Sequence, residues 1–163
     1  MNSNLKVLEY ALSMEENGYN FYKENSKKTK DEKAKKLLSS LAEIEKEHAK
    51  MIKEFIKNLK KDKNMPEINL SDGNKIFEKE LQEANFNSEK MNGSDLAIMR
   101  MAYLIENDFS EFYQKAAKKA KDEKVKNLLE KLADWENKHR DIFYNEFQDL
   151  MEDNWFEQNF YPF

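Results

Sequence analysis

The sequence predicts an all-α protein, an antiparallel four-helix bundle made of two similar helical hairpins joined by one long crossover. Three observations carry that reading. The 163 residues hold only three glycines and two prolines, with 39% hydrophobic and 37% charged side chains, a balance suited to a few long helices and not to a many-stranded sheet. Apolar residues recur at steps of three and four in four separate segments, each describing one face of a helix. The chain also repeats itself: at an offset of 91 residues, "KTKDEKAKKLLSSLAEIEKEH" (28–48) lies over "KAKDEKVKNLLEKLADWENKH" (119–139). Between positions 15 and 48, 16 of 34 residues are identical without a gap. A unit that recurs this way implies two copies of one supersecondary element packed together.

The first helix is expected over about 4–28, with Leu5, Leu8, Leu12, Glu15, Tyr19 and Tyr22 facing inward. The second is expected over about 31–60, capped by Asp31, with Ala34, Leu38, Leu41, Glu45, His48, Ile52, Phe55 and Leu59 on one stripe. The turn between them is short, which makes them antiparallel neighbours. A polar connection over 61–93 follows, with room for a short helix at 74–86, and its length lets the second hairpin cross over. The third helix is expected over about 94–119, capped by Ser94 or Asp95, with Leu96, Met99, Tyr103, Glu106, Ser110 and Tyr113 inward. The fourth is expected over about 122–150, through Val125, Leu129, Leu132, Glu136, His139, Phe143 and Leu150. The remainder, 151–163, is an aromatic tail, and so dense an aromatic run is expected to dock on the bundle or a partner. All of this reads as one domain over 1–163.

Composition narrows the function. The formal charge is −4 with a pI near 5.4, and both signs are mixed along the chain, so no basic face invites nucleic acid. The absence of cysteine excludes disulfides, thiolate zinc and rubredoxin-type iron sites. No apolar run is long enough to span a membrane and the N-terminus lacks a secretory apolar segment, so a cytoplasmic protein with no membrane partner is expected. The charge-rich runs 27–36 and 118–127 read as solvated hairpin ends.

Both histidines follow a glutamate by three residues, as Glu45-x-x-His48 and Glu136-x-x-His139, so each pair shares a helix face. Each pair interrupts a buried stripe: Leu41, Glu45, His48, Ile52 in one copy and Leu132, Glu136, His139, Phe143 in the other. Glu15 and Glu106 stand 30 residues before Glu45 and Glu136, also on apolar stripes. Four carboxylates therefore face one core, where isolated charge is costly. No lysine or arginine shares these stripes near the glutamates. Two divalent cations would balance four carboxylates, with two neutral imidazoles completing the set. The candidate metal ligands are Glu15, Glu45, His48, Glu106, Glu136 and His139. Oxygen and imidazole donors without thiolate suit iron first, with manganese and zinc as alternatives. Tyr19, Tyr22, Tyr103 and Tyr113 share the ligand faces and are candidates to hydrogen-bond a ligand carboxylate, with core packing as the plainer reading. Trp135 matches Ile44 in the repeat and reads as packing, and Met99 and Met101 as apolar filler.

One glutamate from each of two helices and a Glu-x-x-His from each of two others is the arrangement of ferritin-like di-iron bundles. The sequence resembles the rubrerythrin branch of that superfamily over roughly 5–60 and 94–150, on Glu15, Glu45-x-x-His48, Glu106 and Glu136-x-x-His139. The resemblance implies a ferritin-like fold, with Glu45 and Glu136 bridging two irons, Glu15 and Glu106 as terminal carboxylates, and His48 and His139 each completing one metal. It implies reduction of hydrogen peroxide or O2, or oxidation of iron(II). With no cysteine up to Phe163, electrons are expected from a separate carrier such as a rubredoxin-like protein. A homo-oligomer, a dimer first, is expected by analogy. Two features depart from related patterns. Rubrerythrins tend to carry an extra carboxylate one turn past the third-helix glutamate, where this chain has Phe109. Bacterioferritins follow the second-helix glutamate with a haem-binding methionine, where this chain has Lys46, so no haem is expected. A ferritin-like iron-storage protein and a structural bundle with a vestigial site are the alternatives.

Overall fold

The structure, a computed structural model, describes residues 2–66, 68, 79 and 91–157. Four helices make up the described chain: α1 (Ser3–Lys28), α2 (Glu32–Lys60), α3 (Gly93–Lys119) and α4 (Glu123–Glu157). α1 packs along α2 and α3 along α4, and the two hairpins meet chiefly where α1 faces α3. This is the all-α bundle of two helical hairpins that the repeat predicts, with the ferritin-like fold that the resemblance implies.

The helix ends follow from local chemistry. Asn2 caps α1 by accepting from the Asn4 amide at 3.0 Å. At the other end the Thr29 hydroxyl donates to the Asn25 carbonyl at 2.6 Å, satisfying an acceptor that the helix leaves open. Asp31 caps α2 through the Ala34 amide at 2.9 Å, as expected. Its repeat mate Asp122 does the same for α4, accepting from Lys124 and Val125 amides at 2.9 and 3.0 Å.

α3 differs from expectation at its start. Asn92, and not Ser94 or Asp95, is its cap, accepting from the Asp95 amide at 2.8 Å. Asp95 is needed elsewhere. Its buried carboxylate accepts from the Asp31 amide at 2.9 Å and the Lys30 amide at 3.2 Å, pinning the start of α3 to the α1–α2 turn. That contact fixes the topology. α2 and α3 begin at the same end of the bundle, so the crossover must return over the whole length of α2, about 43 Å for its 29 residues. The short helix expected at 74–86 lies outside the described residues, apart from helical Lys79.

α4 corrects the boundary expected at 150. The helix continues to Glu157 and takes in the first half of the supposed tail, because 151–157 contains neither glycine nor proline to stop it. Residues 158–163 lie outside the described part, as does the side chain of Leu150.

The apolar core is cut in two. One cluster gathers Tyr22, Leu37, Leu38, Leu41, Met99 and Phe143, and the other gathers Leu8, Ile52, Phe55, Tyr113, Leu129 and Leu132. On every helix the candidate ligands fall between the two: Glu15 between Leu8 and Tyr22, Glu45 and His48 between Leu41 and Ile52, Glu106 between Met99 and Tyr113, Glu136 and His139 between Leu132 and Phe143. The inward faces of α1 and α3 are rotated slightly from the expected stripes. Ala11, Gly18 and Ala102 are buried where Leu12, Tyr19 and Tyr103 are half-buried. Small residues there let the two helices approach closely. A Cβ on Gly18 would lie 3.1 Å from the Phe109 ring and 3.7 Å from Glu45 Cγ.

Candidate metal centre

The layer between the two apolar clusters is polar and buried. Glu15, Glu45, Glu106, Glu136 and His139 are 0% exposed and His48 is 1% exposed. They form two groups whose offered atoms lie within 4.8 Å of one another: Glu15, Glu45, His48 and Glu136 in one, Glu106, Glu136 and His139 in the other. Glu136 belongs to both groups, while Glu45 lies with the His48 group. His48 Nδ1 stands 3.3 Å from Glu136 Oε1, 3.5 Å from Glu15 Oε2 and 3.9 Å from Glu45 Oε2. His139 Nδ1 stands 3.6 Å from Glu106 Oε2 and 4.0 Å from Glu136 Oε2. In both histidines the nitrogen turned into the cluster is Nδ1.

Two tyrosines hold the outer carboxylates, and they do so across the repeat. The Tyr22 hydroxyl on α1 donates to Glu106 Oε1 on α3 at 2.8 Å, and the Tyr113 hydroxyl on α3 donates to Glu15 Oε1 on α1. Each hairpin thus supplies the donor for the other hairpin's glutamate. The second oxygen of each glutamate, Glu15 Oε2 and Glu106 Oε2, is left toward the imidazoles. Of the four tyrosines the sequence singles out, the structure brings these two to the carboxylates. Tyr19 is half-buried beneath Lys23 Nζ, 5.5 Å from the ring centroid, and Tyr103 is half-buried beside Tyr144. Trp135 packs against the apolar cluster that holds Leu132, as expected, and its ring also lies parallel to His48, centroids 5.4 Å apart at an interplanar angle of 2°. Phe109, at the extra-carboxylate position, lies against Gly18, its partner in the repeat.

The electrostatics report a site built for cations. Burial pushes the Glu45 carboxyl well above the usual range, and the charges of Glu136 and Glu15 push it further. Burial likewise raises Glu136, followed by the charge of Glu106. Burial works the same way on Glu106, but the neighbouring Glu136 carboxyl and His139 imidazole, with the Tyr22 hydroxyl, outweigh it and bring it down to about 2. Burial, then the Glu106 and Glu15 charges respectively, raise Tyr22 and Tyr113, which keeps both hydroxyls protonated as donors. Four carboxyls this close cannot all ionise unaided. Glu15 Oε2, both Glu45 oxygens, His48 Nδ1, Glu106 Oε2 and both Glu136 oxygens have no hydrogen-bond partner among the described residues. So many orphaned acceptors in one buried layer are hard to sustain by protons alone. Two divalent cations satisfy them at once, and a donor set of carboxylate and imidazole fits iron, manganese or zinc.

The sequence pattern of the rubrerythrin family matches residues 6–147, which takes in both hairpins and all six candidate ligands. The chain belongs to the rubrerythrin family. That membership makes it a di-iron-type protein, in keeping with the clustered glutamates and histidines. No curated protein matches it. Among solved structures, a hypothetical protein from Pyrococcus furiosus is similar over 92% of this chain and 91% of its own, at 24% identity and a TM-score of 0.65, a likeness that shows the fold alone. No described helix is long and apolar enough to cross a bilayer.

Proposed function

We propose that this rubrerythrin is a non-haem di-iron oxidoreductase that reduces hydrogen peroxide, or O2, with electrons from an external carrier, and oxidises iron(II). One observation carries the reading. Six ligand-type side chains, four carboxylates and two imidazoles, share a buried layer in which six of the eight carboxylate oxygens have no hydrogen-bond partner among the described residues. When bound, two ferrous ions supply the two electrons that, with two protons, convert one peroxide to two waters.

The rest is the work of the chain. Glu136 joins the two halves of the site, and Glu45 and Glu15 gather with His48 on one side. Glu106 and His139 make up the other. Tyr22 and Tyr113 fix the outer glutamates by one oxygen each and leave the other oxygen for a cation. The two apolar clusters close the layer above and below, which excludes water and strengthens each charge interaction inside. The electron carrier is a separate protein of the rubredoxin-like kind, and the expected assembly is a homodimer in the cytoplasm.

Anaerobic loading with iron(II) followed by hydrogen peroxide tests the proposal. Wild-type protein is expected to oxidise its iron rapidly with one peroxide per two irons, and a Glu45→Ala, Glu136→Ala double variant is expected to lose that reaction. Equal rates in the two proteins would sink it. Light scattering separates it from the storage reading, which needs a large hollow assembly.

A further inference from the structure

The six ligands are sealed. None is more than 1% exposed, so no external carrier touches them and electrons must cross at least one layer of side chains. Tyr22 and Tyr113 touch the carboxylates, but both are 0% exposed and end inside the bundle. Trp135 is different. It lies flat on His48, with centroids 5.4 Å apart, and it also lines a surface groove of about 500 Å³ together with Lys131, Asp134, Asn137, Lys138 and Asp141. Two stacked π systems therefore run from the surface to the atom that faces Glu15 and Glu136. The repeat makes this one-sided, because the residue matching Trp135 in the first hairpin is Ile44, a buried aliphatic.

We propose that Trp135 is the relay through which electrons enter the site, passing from an external one-electron reductant in the groove, through the indole, to His48 and the metal that His48 would hold. The inference rests on the di-iron reading above. Two reductant molecules each lose one electron, two iron(III) ions become iron(II), and Trp135 ends each passage in the closed-shell form in which it began. No bond forms or breaks. Trp135 acts through His48 and is not a catalytic residue.

The half-reactions separate the relay from the proposed activity. Full-length wild type, Trp135→Phe and Trp135→Ile are loaded with two irons, and the metal content of each is measured. In the oxidative half, iron(II)-loaded protein meets peroxide. In the reductive half, iron(III)-loaded protein meets reduced methyl viologen, a one-electron donor. The expected result is peroxide oxidation unchanged in all three. Re-reduction slows about tenfold or more in Trp135→Ile, a barrier higher by roughly 1.4 kcal/mol, and is largely restored in Trp135→Phe. Equal re-reduction in wild type and Trp135→Ile, or a parallel loss in both half-reactions, would overturn the relay. Failure of wild type to oxidise with peroxide would instead overturn the function proposed above, and the reductive half still decides the relay. A second readout needs no turnover. In a Trp155→Phe background Trp135 is the sole indole, and cobalt(II) binding is expected to quench its emission strongly. Unquenched emission at full cobalt loading would overturn the relay even if Trp135→Ile failed to hold metal.

Discussion

At the scale of single residues, the account turns on how four buried glutamates are kept in place. Tyr22 and Tyr113 each donate to one of them across the hairpin boundary. Groups that orient a metal ligand are typically worth about 10–100-fold in metal affinity when removed. Tyr113→Phe and Tyr22→Phe are therefore each expected to weaken metal binding by about that factor, read by competition with a coloured chelator. The same residues predict an inverted pH dependence. Glu45 and Glu136 have raised values in the folded, metal-free protein, so the stability they allow is full below the ordinary glutamate value and is lost as pH rises through their folded values. Glu106, held down to about 2, works the opposite way but only in more acid solution. Metal-free protein is thus expected to melt at lower temperature as pH is raised from about 4.5 toward neutrality, the unfolded glutamates being ionised there. Added metal, which takes the place of the protons, is expected to abolish that slope. A metal-free melting temperature that climbs with pH across this window would contradict the assignment. These six residues were legible in the sequence because each broke an apolar stripe at helical spacing and each had a twin 91 positions away. The stacking of Trp135 on His48 was not legible, since the two residues sit on different helices and the repeat offered only Ile44 for comparison.

At the scale of elements, Gly18 and Phe109 show what patterning misses. Periodicity weights large apolar residues, so it placed Leu12, Tyr19 and Tyr103 inward, whereas Ala11, Gly18 and Ala102 are the buried ones, with Gly18 against the Phe109 ring of α3. Small residues carry little hydrophobic signal, and their role appears only when the partner helix is in place. Gly18→Ala sets two effects against each other. Replacing a helical glycine gains about 1 kcal/mol, while the new Cβ, 3.1 Å from the Phe109 ring, costs roughly 1–3 kcal/mol of overpacking. The single variant is expected to be neutral to destabilised in urea. In a Phe109→Ala background the same change is expected to stabilise by about 1 kcal/mol. Identical effects in both backgrounds would remove the Gly18–Phe109 contact from the account. Asp95 makes a related point. Its sequence position suggested a local cap, but a buried carboxylate receiving the Lys30 and Asp31 amides serves the other hairpin. Asp95→Ala leaves those donors in want of a partner and is expected to cost roughly 1–3 kcal/mol, against about 1 kcal/mol for removing the ordinary cap Asp122.

At the scale of the molecule, the fold is a device for bringing two copies of one ligand triplet face to face. The repeat gave the bundle, the antiparallel hairpins and the crossover, because each is set by local pattern and chain length. It did not give the continuation of α4 to Glu157, which depends on the absence of a stop signal more than on any positive one. The layered core follows from the same doubling: apolar cluster, polar layer, apolar cluster, with all six ligands in the middle. Such a layer is a liability to the metal-free protein and a source of stability once cations bind the folded form alone. The most direct measurement is a titration of anaerobic, metal-free protein with iron(II), reading bound iron per chain and the melting temperature together. The account predicts saturation at two irons per chain with a marked rise in melting temperature, and neither in the Glu45→Ala, Glu136→Ala variant. Binding of no stoichiometric iron by the wild type, or equal binding by that variant, would contradict it.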